Sequence, residues 1–307
     1  MIISRLLELE AVLLLLALLG VFLRKRSMLN DAGRSFLTDL VTDVILPCNI
    51  FLSFLGTAGG ETLRSSLLTV GMSAVTMLLS AFVGWLVYRR RDHRQSVVFR
   101  YATTNSNAIF IGLPIIQSLL GAEGVLQLSM YMIFMRIFIW TYGLSLYTGV
   151  QADKRSTFRK LATQPAMVAA YLGFAAMLLP VELPGFLKTT LTDLSNCLMA
   201  LSMLLVGSVL ADIHPRGILR GDVWGFGAVR LLLLPGLTLL LCRALGVPYI
   251  VTATCTLICG MPAASLTAVL AGRYKVDAET ASLLVALSSV LSIITIPGWY
   301  LILQALQ

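Results

Sequence analysis

Charged side chains are scarce in this sequence. Only 12% of its 307 residues are Asp, Glu, Lys or Arg, and 58% are hydrophobic. Because ordinary soluble domains carry about 25% charged residues, this composition excludes a soluble globular enzyme and indicates a polytopic membrane protein. The formal net charge is +8, but the basic residues are scattered in short segments between apolar runs. We therefore expect them to act as topology signals and expect no nucleic-acid partner.

Histidine and paired cysteines are also lacking. The two histidines, His93 and His214, fall in predicted loops, which argues against a metal site inside the membrane. The five cysteines fall in apolar segments without paired spacing, which predicts free packing residues: Cys48, Cys197, Cys242, Cys255 and Cys259. The sequence has no P-loop, Gly-x-Ser-x-Gly elbow, His-Glu-x-x-His motif or dinucleotide fingerprint, so we expect no cofactor and no enzymatic activity.

Long apolar segments are abundant, and we predict ten membrane spans from them. Each is close to the roughly 20 residues that a bilayer requires, although the sixth is short. The predicted spans are residues 5–23, 35–55, 66–88, 97–119, 124–147, 163–180, 189–211, 223–245, 248–271 and 280–304.

The distribution of Lys and Arg predicts the orientation of these spans. Seventeen basic residues fall in the loops after the odd-numbered spans, whereas the other side has four, Arg5, Arg64, Lys188 and Arg243. By the positive-inside rule, both termini lie outside the cytoplasmic membrane. The first span should remain in the chain, because its charges at 24–26 follow the apolar core, whereas a signal peptide carries them before it.

An internal repeat divides the spans into two halves. Leu-Thr-Asp-Leu at 37–40 recurs 154 residues later at 191–194, and Pro114 and Pro262 are 148 residues apart. These offsets predict a first repeat at 1–148, a short basic cytoplasmic connector at 149–162 and a second repeat at 163–307. Because each half has five spans, the second must enter the membrane from the opposite side, giving an inverted repeat.

Two spans contain residues that interrupt helices. Gly112 and Pro114 occur in span four, and Gly260 and Pro262 in span nine, where Ser265 follows. These residues predict a break near Gly112 and another at Gly260, with the second half-helices beginning there. Paired breaks are typical of the substrate site of a secondary transporter, and their half-helix N-termini favour an anion. The alternative is two proline kinks that serve only packing.

Four polar residues inside the spans are further candidates. Asn107 and Asn105 are candidate substrate-binding residues, because an amide can donate to a carboxylate. The alternative is that these amides cap carbonyls freed by the break, which we favour for Asn105 and not for Asn107. Arg136 either attracts the anionic substrate or pairs with a carboxylate such as Asp43, which is our weakest candidate for proton or cation coupling. Arg230, by contrast, is expected to snorkel toward the cytoplasm.

Four motifs in chain order resemble those of the auxin efflux carrier family, which includes bacterial malate and malonate permeases. The resemblance extends over essentially the whole chain. The motifs are Asn107-Ala-Ile-Phe-Ile-Gly-Leu-Pro114, Gln164-Pro165 through Gly173, Gly260-Met-Pro262 through Tyr274, and Ser288 through Pro297.

This resemblance implies ten helices in two inverted repeats, with crossed broken helices four and nine, as in bile-acid and sodium/proton carriers. It also implies a scaffold of spans 1, 2, 6 and 7, a moving bundle of spans 3–5 and 8–10, and a homodimer. Asn107 matches the carboxylate-contacting asparagine of the family, and Pro114 and Pro262 match its crossover prolines.

The resulting hypothesis is a secondary carrier of small organic anions that works by elevator-type alternating access in the lipid bilayer. Candidate substrates are malate, malonate or an auxin-like acid. The alternatives are a sodium-coupled symporter of the bile-acid type and, more distantly, an intramembrane enzyme or a receptor.

Overall fold

The computed structural model describes residues 2–55, 60–148, 163–179, 183–212 and 220–306. Within these ranges the chain is helical almost throughout and forms no β-strand. The predicted connector at 149–162 lies outside the described residues. The helices of the described chain are α1 (Ile2–Lys25), α2 (Asp31–Phe54), α3 (Gly60–Tyr88), α4 (His93–Thr104), α5 (Ala108–Thr148), α6 (Pro165–Leu178), α7 (Gly185–Ala211), α8 (Gly221–Ala244), α9 (Tyr249–Gly260), α10 (Leu266–Arg273) and α11 (Ala278–Ala305).

Six helices in the described ranges are long and apolar enough to cross a membrane: α2, α3, α5, α7, α8 and α11. The apolar helices α6 and α9 are shorter, with 14 and 12 residues. The predicted all-helical membrane architecture is therefore confirmed. The count of ten crossings and the inverted repeat stay predictions.

Helix α5 is divided at one residue. It contains 41 residues, which would extend about 60 Å if straight, or twice the roughly 30 Å of a hydrocarbon core. Gly121 leaves the helical conformation with φ 65° and ψ −157°, in the left-handed region that glycine tolerates best. The predicted spans four and five are thus joined at this glycine.

Wider helical turns accommodate three of the prolines. Proline cannot donate a backbone hydrogen bond, and its ring crowds the carbonyl four residues earlier, so an extra residue in the turn before it relieves the contact. Trp299 Nε1 donates to the Leu231 carbonyl at 2.8 Å, replacing the bond that Pro235 cannot make. The described π-helical turns are Val41–Ile45, Ala108–Gly112, Ile139–Gly143 and Val229–Leu233, and all but the third directly precede a Leu-Pro pair.

The chain divides into two compact units, each assembled from separate segments. The first unit consists of Met1–Leu67, Ile109–Met130 and Arg159–Asp212. The second unit consists of Leu68–Ala108, Tyr131–Phe158 and Ile213–Gln307.

Glycines bring α1 and α7 into backbone contact in the first unit. A Cβ at Gly20 would collide with the Leu204 carbonyl, and one at Gly207 would collide with the Ala17 carbonyl. Small residues allow membrane helices to approach closely and gain dispersion energy along their length. These two helices therefore pack as an interlocked pair.

A charge cluster joins the ends of α1 and α7 to the start of α2. Arg24 Nε and Arg34 Nη1 each donate to the Asp212 carboxylate at 2.8 Å. Partial burial alone would raise the pKa of Asp212, but the hydrogen bonds from both guanidinium groups outweigh it and hold the pKa below its usual range. The carboxylate thus remains ionised at neutral pH and links three helices.

A matching cluster lies in the second unit. Asp222, in the first turn of α8, accepts from Arg220 at 2.8 Å and from Arg91, just beyond α3, at 3.2 Å. Arg220 also donates to Thr280 Oγ1 at 3.1 Å in the first turn of α11. Three helices of this unit are therefore tied together at one end.

Candidate substrate site at the paired helix breaks

Two apolar segments are interrupted, and both interruptions lie in the second unit. Helix α4 ends at Thr104 and α5 begins at Ala108, while α9 ends at Gly260 and α10 begins at Leu266. The linking residues are extended at Asn105, with φ −103° and ψ 114°, and at Met261, with φ −67° and ψ 149°. Each interruption exposes backbone groups that a membrane interior cannot hydrate.

The two extended segments form hydrogen bonds with one another through their backbone groups. Asn107 N donates to the Pro262 carbonyl at 2.8 Å, and Ala264 N donates to the Asn105 carbonyl at 2.9 Å. These bonds form an antiparallel bridge centred on Ser106 and Ala263. The breaks are therefore paired by main-chain hydrogen bonds, as in a minimal sheet.

A side chain of α11 completes this arrangement. Ser288 Oγ accepts from Ala263 N at 3.1 Å and donates to carbonyls of its own helix. The backbone N–H of Ala263 points away from Asn105–Asn107, because in an antiparallel pair the backbone N–H and C=O groups of every second residue point away from the partner strand. Ser288 thereby anchors the break of α9–α10 to a third helix.

The position of the first break differs from the prediction. The prediction of a break near Gly112 was wrong, because the extended residues are Asn105–Asn107. The regular α-helix nevertheless begins at Leu113, within the predicted start at Gly112–Pro114, and Pro114 lies in its first turn. Proline is tolerated there because first-turn N–H groups have no intrahelical partner, and the π-helical turn Ala108–Gly112 absorbs its ring. Gly112 and Pro114 belong to the first unit.

The second break begins where predicted and extends further. Helix α9 ends at Gly260, and Pro262 is buried in the extended segment. The following half-helix begins at Leu266 instead of at Gly260–Pro262, with Ser265 as its N-cap. The reason is that Pro262 and Ala263 are held extended by the pairing, so helical dihedrals resume only after it.

Arg230 is the largest fully buried side chain of the described residues, with 1% of its surface exposed. Its Nε donates to the Met261 carbonyl at 2.9 Å and its Nη1 to the Thr103 carbonyl at 2.6 Å. The prediction that Arg230 snorkels was therefore wrong. The guanidinium binds the carbonyl ends of α4 and α9, where the helix dipoles concentrate partial negative charge.

No ion pair to Arg230 is formed within the described ranges, where the salt bridges involve Asp31, Asp212 and Asp222. A buried cation is normally paired or coordinated, because transfer out of water is costly. Here two neutral carbonyl groups take that role, so the unit retains a buried positive charge at the paired breaks.

The two asparagines are both buried in the second unit. Asn107 is 5% exposed and contributes its backbone N–H to the pairing. Asn105 is 0% exposed, but neither its Oδ1 nor its Nδ2 has a hydrogen-bond partner among the described residues. The prediction that the Asn105 amide caps freed carbonyls was therefore wrong, because Arg230 and the strand pairing already satisfy those carbonyls.

The two charged candidates fall in different units. Arg136 is half-buried on α5 in the second unit, and Asp43 is exposed in the π-helical turn Val41–Ile45 of the first unit. The two roles considered for Arg136 and the coupling role of Asp43 stay predictions.

The cysteines are free thiols: Cys242, Cys255 and Cys259 are buried, Cys48 is half-buried and Cys197 is exposed. No cluster of three or more His, Cys, Asp or Glu residues able to hold a metal occurs in the part of the chain that the structure describes.

The structure has several apolar helices long enough to span a membrane, and two helix breaks are paired beside a buried arginine. These features are typical of a polytopic membrane transport protein. The family model described as membrane transport protein matches residues 6–300, and the chain belongs to that family, the auxin efflux carriers that its motifs resemble. The chain is therefore a transporter and not an enzyme.

Two archaeal relatives match along nearly their whole length. An uncharacterized transporter of Methanothermobacter thermautotrophicus is 28% identical over 301 residues, covering 94% of this chain and 96% of the relative. An uncharacterized transporter of Methanocaldococcus jannaschii is 22% identical over 308 residues, covering 95% and 97%.

Proposed function

We propose that this protein is a secondary carrier that moves a small organic anion, such as a carboxylate, across the cytoplasmic membrane. The observation that carries the proposal is the pair of hydrogen-bonded helix breaks with a buried arginine that has no carboxylate partner among the described residues. A transporter that binds a cation would be expected to place acidic groups at such a site.

The charge balance at the breaks favours an anion. The C-termini of α4 and α9 each carry about half a negative charge, which the single charge of Arg230 approximately cancels. The N-termini of α10 and of α5, which follows Asn107 directly, each contribute about half a positive charge. About one positive charge therefore remains available to a bound monoanion.

Asn107 is the proposed carboxylate contact. Its backbone is held by the Pro262 carbonyl, so the side chain starts from a defined position. An amide N–H₂ donates to a carboxylate without adding a second buried charge. Gly260, Pro262 and Ser265 shape the opposing segment, and Gly112 and Pro114 follow Asn107 along the chain.

We further propose two inverted five-span repeats and elevator-type alternating access, with a homodimer and both termini outside. Support comes from the family, from the sequence offsets and from the division of the chain: α1, α2, α6 and α7 fall in the first unit, whereas α4 and α8–α11 fall in the second. In this arrangement spans 1, 2, 6 and 7 form the scaffold, spans 3–5 and 8–10 form the moving bundle, and the paired breaks belong to the bundle.

Transport in proteoliposomes tests the proposal. A panel of radiolabelled mono- and dicarboxylates is offered to wild type, Asn107→Ala and the control Asn196→Ala, which alters an exposed asparagine of α7. Loss of a hydrogen bond to a charged group corresponds to about tenfold to a hundredfold weaker binding. We expect Asn107→Ala to bind the best substrate about tenfold to a hundredfold more weakly, and Asn196→Ala to take up the substrate as wild type does.

Replacing sodium and imposing a proton gradient in the same assay separate the forms of coupling. Uptake that requires sodium would favour the bile-acid type of symporter. Uptake unchanged in Asn107→Ala would remove this residue from the site, and a folded protein that moves no acid of the panel would contradict the anion assignment.

A further inference from the structure

A buried polar cluster beside the paired breaks has hydrogen-bonding groups without partners. Besides the two side-chain atoms of Asn105, the Tyr101 hydroxyl and the Thr267 hydroxyl have none among the described residues, and all three residues are completely buried. The backbone N and O of Asn105 are satisfied by Tyr101 and Ala264. The side chain is thus held in place while its amide group remains available.

Gly143 lies next to the side chains of Tyr101 and Asn105. A Cβ added to this residue would lie 2.9 Å from Tyr101 Cε2 and 3.5 Å from Asn105 Nδ2. Gly143 closes the π-helical turn Ile139–Gly143 of α5, a type of turn that occurs frequently at functional sites. The absence of a side chain here allows the tyrosine ring and the Asn105 amide to pack against the backbone of α5.

The neighbouring tyrosine provides a contrast. The rings of Tyr101 and Tyr147 pack edge to face with centroids 5.0 Å apart. The Tyr147 hydroxyl donates to the Thr267 carbonyl at 3.3 Å, so its hydrogen bond is satisfied, whereas that of Tyr101 is not. Buried polar groups without partners are rare, because each loses its hydration on folding.

The chemistry of the cluster selects the partner. The Asn105 amide offers both a donor and an acceptor, and a phenol can act as either. A carboxylate would satisfy the donors but would face the amide oxygen without a proton to share. A neutral hydroxyl group donates one proton and accepts others, so it can satisfy all of these atoms.

We propose that Asn105 and Tyr101 form a binding subsite for one neutral hydroxyl group, supplied either by a bound water or by a hydroxyl of the transported molecule. Asn105 and Asn107 are separated by one extended residue, about 7 Å between Cα atoms. A substrate with its carboxylate on Asn107 can therefore present a nearby hydroxyl to Asn105. This second source, unlike the water, depends on the proposed function.

The test uses two hydroxyl deletions on adjacent rings and one amide replacement. Tyr101→Phe removes the unpartnered hydroxyl, and Tyr147→Phe is the matched control that removes a satisfied one. Asn105→Leu replaces the amide by an apolar group of similar size. Thermal unfolding without added acid is measured for each purified protein, together with competition by acids that differ in one hydroxyl, lactate against propionate and glycolate against acetate.

If the substrate supplies the hydroxyl, wild type and Tyr147→Phe prefer the hydroxylated acid by about fivefold to tenfold, the worth of one hydrogen bond. Tyr101→Phe and Asn105→Leu then lose this preference. If a bound water supplies the hydroxyl group, the preference for the hydroxylated acid is the same in all four proteins. Tyr101→Phe and Asn105→Leu then unfold about 2 °C lower than wild type.

The proposal is overturned if either variant keeps the wild-type preference and also unfolds at or above the wild-type temperature, because removing a truly unpartnered polar group stabilises a fold. The unfolding measurement requires no transport, so failure of the acid panel would contradict the proposed function without affecting the water form of this subsite. Conversely, loss of uptake in Asn107→Ala with unaltered Tyr101 and Asn105 variants would remove only the subsite.

Discussion

Replacement of Arg230 by methionine separates its charge from its packing. Methionine is close in length and apolar, so the volume between the paired breaks remains filled. The change leaves the Met261 and Thr103 carbonyls without their donor, at a cost of about 1–3 kcal/mol each. It also removes a buried charge, which returns a free energy of several kcal/mol. These terms oppose one another, so we expect the free energy of unfolding to change by less than about 2 kcal/mol.

The effect on anion binding is expected to be larger. Arg230 binds the Met261 carbonyl, and Asn107 binds the carbonyl of the next residue, Pro262. The path through these two hydrogen bonds and one Cα step is about 10 Å, and we take this length as the separation between the guanidinium and an anion on Asn107. With an effective dielectric constant of about 20, the attraction is about 1.7 kcal/mol. Arg230→Met should then weaken binding about fifteenfold.

The lysine variant provides the second half of the experiment. Arg230→Lys retains the charge but reaches one carbonyl instead of two, because an ammonium lacks the fork of a guanidinium. We expect its anion affinity to stay within about threefold of wild type, although its unfolding temperature falls. Calorimetric titration with the best substrate of the panel measures affinity, and thermal unfolding measures stability.

A matched control lies on the same helix. Arg243 near the end of α8 donates to the Leu306 carbonyl at 3.1 Å and is exposed, so Arg243→Met should retain wild-type affinity. The reasoning is refuted if Arg230→Met binds the anion as tightly as wild type, or if Arg230→Lys loses as much affinity as Arg230→Met.

Three further predictions concern stability. Gly207→Leu should prevent native packing of α1 on α7 and lower the unfolding temperature sharply, whereas Gly71→Leu, where a Cβ meets nothing within 4 Å, should change it little; equal shifts would contradict the close-packing account. Trp299→Phe leaves the Leu231 carbonyl without its donor and should cost about 1–3 kcal/mol in denaturant unfolding; a variant as stable as wild type would show that another donor replaces the indole. Because the folded-state pKa of Asp212 is depressed, its contribution is present above the usual carboxyl pKa of about 3.9 and is lost as pH falls below it. Asp212→Asn should therefore unfold at a lower temperature than wild type at pH 6, and the difference should narrow toward pH 3; a constant difference would exclude the ionised carboxylate as its cause.

The helices follow closely from composition and hydropathy. The predicted segments 35–55 and 280–304 correspond to Asp31–Phe54 and Ala278–Ala305, because apolar length is a property of the local sequence. The start of the second break was also predictable, since Gly260 and Pro262 weaken the helix within a single turn. Such signals act over a few residues and need no knowledge of neighbouring helices.

The first break and Arg230 depend on distant residues, which explains why both predictions were wrong. Asn105–Asn107 are extended because Pro262 and Ala264, more than 150 residues later, pair with them. Pro114 gave the stronger local signal, but a wider turn accommodates it. Arg230 could not be placed inside the protein from depth alone, because its partners are the ends of two other helices.

The π-helical turn Val229–Leu233 has a geometric consequence for α8. A turn with one additional residue rotates the rest of the helix by about 100°. Residues before and after the turn therefore no longer share one helical periodicity, and the same sequence spacing places side chains on different faces. Deleting one residue between Gly221 and Val229 would swing the first half of α8 around its axis, whereas the same deletion inside the turn would convert it to a regular helix and crowd Pro235. A helix with such a phase shift can direct its two ends toward different neighbours, and a one-residue gap in an alignment would be enough to reveal it.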